Sequence, residues 1–284
     1  MTDTRTWFIT GCDKGMGHAF AERILERGDR VVATARDPAN VADLVTKYHN
    51  RAHGYQLDVT NAGQIRSVVA AAEQATGGID VLVNNAGYAV IGAAEETSPG
   101  EYRPMFEVNF FGLVEVTRAL LPGMRARGRG HIFCTSSIGG FAASPGFGFY
   151  AASKFAVEGF AESLSLDVAA LGIKVTILEP GSTRTDFAGG SLVRAATRIP
   201  DYERTAVVST LDRMAARHGA QPNDPRRIAD VLMTLARDPA PPLRIPLGQD
   251  GVDRFAAKLD ALRKDFERWH DLSLSVAFDS GQDK

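Results

Sequence analysis

Cysteine is scarce in this chain: only Cys12 and Cys134 occur in 284 residues, and they form no CxxC spacing. The six histidines form no HxxxH or similar ligand pair. Both absences argue against a disulfide framework or a structural zinc site, and a reducing cytoplasm is the expected setting. An excess of charge is missing too. Lys and Arg number 32 against 34 Asp and Glu, a net charge of −2, so no nucleic-acid partner is expected. No basic stretch followed by an apolar run opens the chain, which argues against a secretory signal. One run without Asp, Glu, Lys or Arg, Gly130 to Ser153, has the length of a membrane span, yet it holds five glycines, four serines and Pro145. That composition suits a buried strand followed by a site loop, and no transmembrane segment is expected.

What is present is alternation. Short, β-branched apolar runs, Thr6–Ile9, Arg30–Ala35, Gly54–Leu57, Asp80–Val83, His131–Thr135 and Lys174–Leu178, read as strands covered on both faces. Helical patterns lie between them. Ile65, Val68, Val69 and Ala72 repeat at i, i+3, i+4, i+7, and Val157, Phe160, Ala161, Leu164, Val168 and Leu171 follow a similar rule after Tyr150. Strands alternating with helices imply an α/β fold with a parallel, doubly wound Rossmann-type sheet, with ligands at the carboxyl ends of its strands. No linker divides residues 1–284, so one domain is expected. Residues 186–224 carry scattered charge and few strand signals, and read as a substrate-covering excursion. A helix near Arg226–Arg237, a strand near Leu243–Pro246, a helix ending near His270 and a polar tail over 271–284 complete the expectation.

Two motifs carry chemistry by residue type. Thr10-Gly11-Cys12-Asp13-Lys14-Gly15-Met16-Gly17 follows the first strand and opens a helix. Its glycines allow a tight turn on which a pyrophosphate meets exposed N–H groups. Tyr150 and Lys154 stand at i, i+4, which puts a phenol and an ammonium on one helix face. A cation about 4 Å away supplies roughly 4 kcal/mol at an effective dielectric near 20, enough to lower a tyrosine pKa by about three units. A dinucleotide-binding strand that prefers NAD ends on a carboxylate for the ribose 2′-hydroxyl. Here Ala35 stands in that place and Arg36 follows, with Lys14 in the turn, a pair suited to a 2′-phosphate at roughly 1.5–3 kcal/mol per charged contact.

The TGxxxGxG turn, the Asn84-Asn85-Ala86-Gly87 segment, Asn109-Phe110-Phe111-Gly112, Ser137 thirteen residues before Tyr150, and YxxxK together resemble the short-chain dehydrogenase/reductase family over about Thr6 to Asp186. The resemblance implies a cofactor site of Gly11, Lys14, Gly15, Met16, Gly17, Arg36, Asp58, Val59, Asn85, Ala86 and Gly87, completed by Tyr150 and Lys154. Asp58 would lie beside the adenine, and Pro180, Gly181, Thr183 and Thr185 of a PGxxxT-like segment would hold the carboxamide. Asn109, Ser137, Tyr150 and Lys154 would be catalytic, with Tyr150 as acid/base, Ser137 polarising the carbonyl, and Asn109 relaying protons through water. The implied activity is NADP(H)-dependent interconversion of a carbonyl and an alcohol.

Phe141, Phe147, Phe149 and Phe187 flank the proposed site, with Ile138 and Tyr88 nearby, which suggests an apolar pocket for a hydrophobic small-molecule substrate. The glycine turn and the Ala-Thr-Ala-Arg strand end resemble the steroid- and retinoid-converting branch. The resemblance also implies a homodimer or homotetramer through helices at Glu101–Arg127 and Tyr150–Leu171. Two other uses of the same motifs stay open at this level: a dinucleotide sensor without turnover, and a non-redox epimerase or dehydratase. Cys134 reads as a buried residue, Cys12 as a turn residue with modest redox exposure at most; His18 and His131 show no evident partner, and Arg184 departs from the family's segment.

Overall fold

In the first strand, Trp7 and Ile9 enter one hydrophobic cluster while Phe8 enters another, and Val31 and Ala33 alternate with Val32 in the same way. Period-2 side chains thus feed two cores, one on each face of a sheet. The computed structural model describes residues 4–185, 190–217 and 219–278. Strands β1 (Thr6–Ile9), β2 (Arg30–Ala35), β3 (Ala52–Gln56), β4 (Val81–Asn84), β6 (Gly130–Thr135), β7 (Ile173–Pro180) and β9 (Arg244–Leu247) form one sheet in the order β3-β2-β1-β4-β6-β7-β9. Every neighbouring pair is parallel. Strand β3 starts two residues before the Gly54 that sequence suggests, because Ala52 pairs in register with Val31.

One face is covered by α1 (Gly15–Glu26), α2 (Ala42–Tyr48) and α8 (Pro225–Arg237), which contribute Phe20, Ile24, Leu44 and Leu232. The other is covered by α3 (Ala62–Thr76), α5 (Leu113–Arg127) and α6 (Gly148–Val168), through Ile65, Val116, Leu120, Val157 and Leu164. The doubly wound parallel sheet expected from sequence is therefore the observed one. The strand order reverses between β1 and β4, and such a switch point opens a crevice at the strand carboxyl ends.

The segment 186–224 holds more regular structure than its sequence suggests. Strand β8 (Leu192–Arg194) pairs in parallel with β5 (Ala89–Ile91), and helix α7 (Ala206–Ala216) follows. Three carboxylates tie this segment down. Glu96 accepts from Ile199 N (3.1 Å), Glu101 from Ala196 N (2.9 Å), and Glu95 from the Tyr202 hydroxyl (2.5 Å). The expected helix over Glu101–Arg127 is interrupted: α4 (Pro99–Phe106) passes into a π-helical stretch at Glu107–Gly112 before α5 begins. The last helix, α9 (Gln249–Leu274), runs beyond His270. Residues 271–278 are not uniformly polar, since Leu272, Leu274, Val276 and Phe278 are exposed there.

Candidate active site

Alpha-helix α1 begins at the carboxyl end of β1: Lys14 at the cap makes no side-chain hydrogen bond, and the first turn holds no acidic residue. Close approach of backbone explains the glycines. A Cβ on Gly17 would meet the Gly11 carbonyl oxygen at 2.1 Å and Asn85 Nδ2 at 2.5 Å, and Gly11 itself has φ +70°. Thr10, which sequence reading did not single out, locks the next segment in place. Its hydroxyl accepts from Asn85 N (2.9 Å) and Ala86 N (3.0 Å), while Asn85 Nδ2 donates to the Thr10 and Gly11 carbonyls.

These elements border a cavity of about 1070 Å³. Gly11, Lys14, Gly15, Met16, Arg36, Asp58, Val59, Asn85, Ala86 and Gly87 line one part of it. Ser137, Tyr150, Lys154, Pro180, Gly181, Thr183 and Thr185 line it too, so residues up to 174 positions apart in sequence meet in one space. Gly17 and Asn109 do not line it; Gly17 supports the turn from behind. Asp58 holds its own loop, accepting from Thr60 N and from the Thr60 hydroxyl.

The Asn109 side chain is bound to protein. It is 1% exposed, its Oδ1 accepts from Tyr88 N (3.0 Å), and its Nδ2 donates to Tyr88 O (2.9 Å) and the Ser153 hydroxyl (3.0 Å). These three hydrogen bonds clamp together the π-helical stretch, the segment after Gly87, and α6. Ser153 in turn donates to the Tyr150 carbonyl (2.7 Å), which ties the clamp to the turn bearing the phenol.

Ser137 and Tyr150 are hydrogen-bonded through their side chains, which favours the phenolate, but burial outweighs this and raises the phenol's pKa. The lowering expected from the Tyr150–Lys154 spacing is therefore absent from the protein alone. Lys154 Nζ lies 5.9 Å from the Tyr150 ring centroid and donates to the Thr135 carbonyl (2.8 Å). Its own pKa is pushed down to about 8 by burial, so it remains mostly charged at neutral pH.

The chain from residue 5 to residue 192 matches the model of the short chain dehydrogenases. The chain belongs to the short-chain dehydrogenase family. It is 38% identical over 275 residues to Oxidoreductase BOA17 of Botryotinia fuckeliana, covering 96% of this chain and 100% of that protein. It is 35% identical over 242 residues to 3-ketodihydrosphingosine reductase of Bacteroides thetaiotaomicron, covering 84% and 86% of the two chains. A crystal structure of a short-chain dehydrogenase from Streptomyces avermitilis superposes with a TM-score of 0.90 at 38% identity, covering 98% of this chain and 100% of that one. This short-chain dehydrogenase is accordingly an oxidoreductase whose fold binds a nicotinamide cofactor.

Other expectations need correction. Phe141 stacks on Phe255 (4.3 Å) and Phe149 on Tyr102 (4.2 Å), outside the cavity wall; only Phe147 of the described phenylalanines in that group lines it. Phe187 lies outside the described residues. Cys12 is fully buried, donates to the Ile9 carbonyl (3.3 Å), and has its pKa pushed up to about 12 by burial, so it has no redox exposure. His18 pairs with Asp43 (3.1 Å) and His131 with the Thr176 hydroxyl (3.0 Å). Arg184 braces the segment after β7, donating to the Gln221 carbonyl (3.0 Å).

That segment has two supports the sequence did not reveal. Asp250, on the first turn of α9, accepts from Ser182 N (2.7 Å) and from Asn223 Nδ2 (2.8 Å). A single short motif could not have pointed to either, since both come from distant elements.

Behind Lys154 lies a buried acidic pair that the family motifs do not include. Glu179 is 0% exposed and 3.9 Å from Arg244 Nε, whose main partners are Glu158 (3.0 Å) and Glu162. Burial and the nearby Glu158 push the Glu179 carboxyl up to about 8. An unfolded carboxyl titrates near 4.3. Stability from this group is thus complete below that value and declines as pH rises through about 8. Glu179→Gln is expected to melt with wild type at pH 4.5 but several degrees higher at pH 9, by up to a few kcal/mol. Thermal melts at the two pH values check this, and a constant offset would contradict it.

Proposed function

We propose that this short-chain dehydrogenase is an NADP(H)-dependent oxidoreductase that interconverts a ketone or aldehyde and an alcohol, with Tyr150 as general acid/base. The observation that carries this reading is the meeting of the Ser137–Tyr150 hydroxyl pair and Lys154 with the glycine turn in one cavity. A dinucleotide fits the residues present. The α1 N-terminus, whose cap makes no side-chain hydrogen bond and whose first turn holds no acidic residue, is suited to a pyrophosphate beside the Gly11–Gly15 turn that lines the cavity. The bound nicotinamide would supply or accept the hydride.

The chain's own residues do the rest. Ser137 orients the substrate oxygen, and Tyr150 gives that oxygen its proton in reduction or takes it in oxidation. With burial holding the free phenol's pKa up, Tyr150 is neutral at pH 7 and ready as an acid. Lys154, fixed by the Thr135 carbonyl, keeps a positive charge beside it. Asn109 positions α6 and the segment after β4 through its three hydrogen bonds. Lys14, Arg36, Asp58, Val59, Asn85, Ala86, Gly87, Pro180, Gly181, Thr183 and Thr185, which line the cavity, would hold the cofactor.

The preference for NADP(H) rests on Arg36, an exposed cavity-lining guanidinium that follows Ala35 at the end of β2. Arg36→Asp is expected to weaken NADPH binding at least tenfold and to leave NADH binding nearly unchanged or improved. Fluorescence titration with both cofactors measures it; equal losses would remove the assignment.

Ile138, Phe147, Val193 and Met214 in the wall support a substrate with an apolar body. The segment 186–224 serves in this reading as the substrate cover, through β8 and α7. A cytoplasmic setting suits two free, buried thiols. Homodimer or homotetramer formation through α5 and α6 is supported by Phe155 and Leu166 of α6, 46% and 78% exposed. The whole reading is tested by consumption of reduced cofactor with a panel of ketones of increasing size. Tight NADPH binding with no turnover across the panel would count against it.

A further inference from the structure

The cavity wall formed by α7 is arranged by helical spacing. Thr210, Arg213, Met214 and Arg217 recur at i, i+3, i+4, i+7 and all line the cavity. Val207 and Leu211 are buried on another stripe, where a Cβ on Gly146 would lie 3.2 Å from Val207 and 3.5 Å from Leu211. That contact fixes α7 against the loop that leads into Tyr150, on the substrate side of the catalytic hydroxyls. From α9, Arg254 enters the same space. Its guanidinium donates to the Ser144 hydroxyl (3.0 Å) and to the Ala142 carbonyl.

Among the described residues no carboxylate lies within ion-pair distance of these three guanidinium groups, and Asp250 acts on Arg254 only through space. Arg213 donates to the Thr210 hydroxyl (3.0 Å). Asp250, one turn before Arg254, also lines the cavity, but its carboxylate already accepts from Ser182 and Asn223. Burial works against the Arg254 cation, and the Asp250 carboxylate offsets part of that effect. A half-buried cation held by neutral acceptors and a distant carboxylate still carries a cost that an anionic ligand would offset.

We infer that the substrate carries an anionic group, such as a carboxylate, at the end away from its carbonyl, held by Arg213, Arg217 and Arg254. Met214, Phe147 and Val193 between and beside these cations take the apolar body of the molecule. The substrate class is an amphiphilic oxo acid. This rests on the carbonyl-reductase reading, and it deepens that reading from an apolar ketone to one with a charged end. The cofactor's own phosphates are the competing claimants for these arginines. Lys14, however, caps α1 and Arg36 follows the end of β2, whereas Arg254 comes from α9 and contacts the 142–144 loop.

The test pairs each acid with its neutral ester: 4-acetylbenzoate with methyl 4-acetylbenzoate, and 7-oxooctanoate with methyl 7-oxooctanoate, all with NADPH. The wild-type chain is expected to favour at least one acid over its ester by tenfold or more in kcat/KM. Arg213→Gln/Arg217→Gln and, separately, Arg254→Gln should bring that ratio toward one. Ester turnover and the NADPH Kd should stay within about twofold, which also reports that the variants fold. Equal use of acid and ester by wild type, or a ratio unmoved in both variants, would overturn the inference. So would an NADPH Kd that weakens in step with acid turnover, since the arginines would then serve the cofactor. If neither ketone of either pair is reduced, calorimetry with 4-ethylbenzoate and NADPH-loaded protein decides. Binding lost in Arg213→Gln/Arg217→Gln keeps the anion site and removes the carbonyl-reductase reading; no binding to wild type removes both.

Discussion

Tyr150→Phe is expected to lower kcat by about 10²–10⁴ while leaving NADPH affinity nearly intact, because general acid/base catalysis typically contributes that much. The substitution deletes one hydroxyl and leaves the ring, whose neighbour Phe147 packs edge-on at 6.2 Å. It leaves Lys154 on the Thr135 carbonyl and Asn109 on Tyr88 and Ser153. What it removes is the proton carrier beside Ser137. Rapid mixing of NADPH-loaded protein with a ketone substrate would separate the proton-coupled step from binding. A variant that kept a tenth or more of wild-type turnover would show that another group handles the proton. A loss of cofactor affinity equal to the loss of turnover would point to a structural role.

Gly17→Ala has the second large expected effect and acts through a different quantity. The added Cβ would sit 2.1 Å from the Gly11 carbonyl oxygen, 2.9 Å from the Gly11 carbonyl carbon and 2.5 Å from Asn85 Nδ2. Two of those atoms are backbone, so no side-chain rotation relieves the contact. The first turn of α1 must move away from β1, and overpacking of this kind costs about 1–3 kcal/mol, occasionally more. Asn85 is displaced with it, and Asn85 holds the Thr10 and Gly11 carbonyls. We expect NADPH affinity to fall at least a hundredfold and the melting temperature by several degrees, as read by titration and calorimetry. Gly17→Ser should do no better. An affinity within threefold of wild type would mean that the turn tolerates displacement and that the cradle is not what holds the cofactor.

The two residues illustrate what sequence could and could not disclose. Gly17, Tyr150 and Lys154 are legible because local geometry singles them out, through a turn that must pass close to another carbonyl and a helical spacing of four; Ser137 is legible only through the family resemblance. The parallel sheet was legible for the same reason, since apolar runs of period 2 alternate with amphipathic repeats of period 3.6. The supports were not. Thr10, Asp250 and Asn223 are ordinary polar residues whose role comes from meeting a backbone group brought by another element, and Ser153 is one whose hydroxyl meets the Asn109 side chain. The phenylalanines misled for a related reason. Phe141 and Phe149 lie near Tyr150 in sequence, but Phe255 of α9 and Tyr102 of α4 offered them better stacking partners than the cavity. Strand β8 was missed because its pairing with β5 lies about a hundred residues back along the chain, and helix α7 because scattered charge hid its apolar stripe of Val207 and Leu211.

The brace between α9 and the end of β7 also bears on how the molecule is made. Gly11, Ser137, Tyr150 and Lys154 are all translated before β7, and the segment Gly181–Thr183 follows directly. Yet Ser182 waits for Asn223, 41 residues later, and for Asp250, 68 residues later. The ribosome therefore releases the chemistry-bearing two-thirds of the chain well before the part that steadies its last wall. A nascent chain arrested before residue 250 holds the glycine turn and the tyrosine without a fixed carboxyl end of β7. The cavity is completed by α9, which follows every other helix among the described residues.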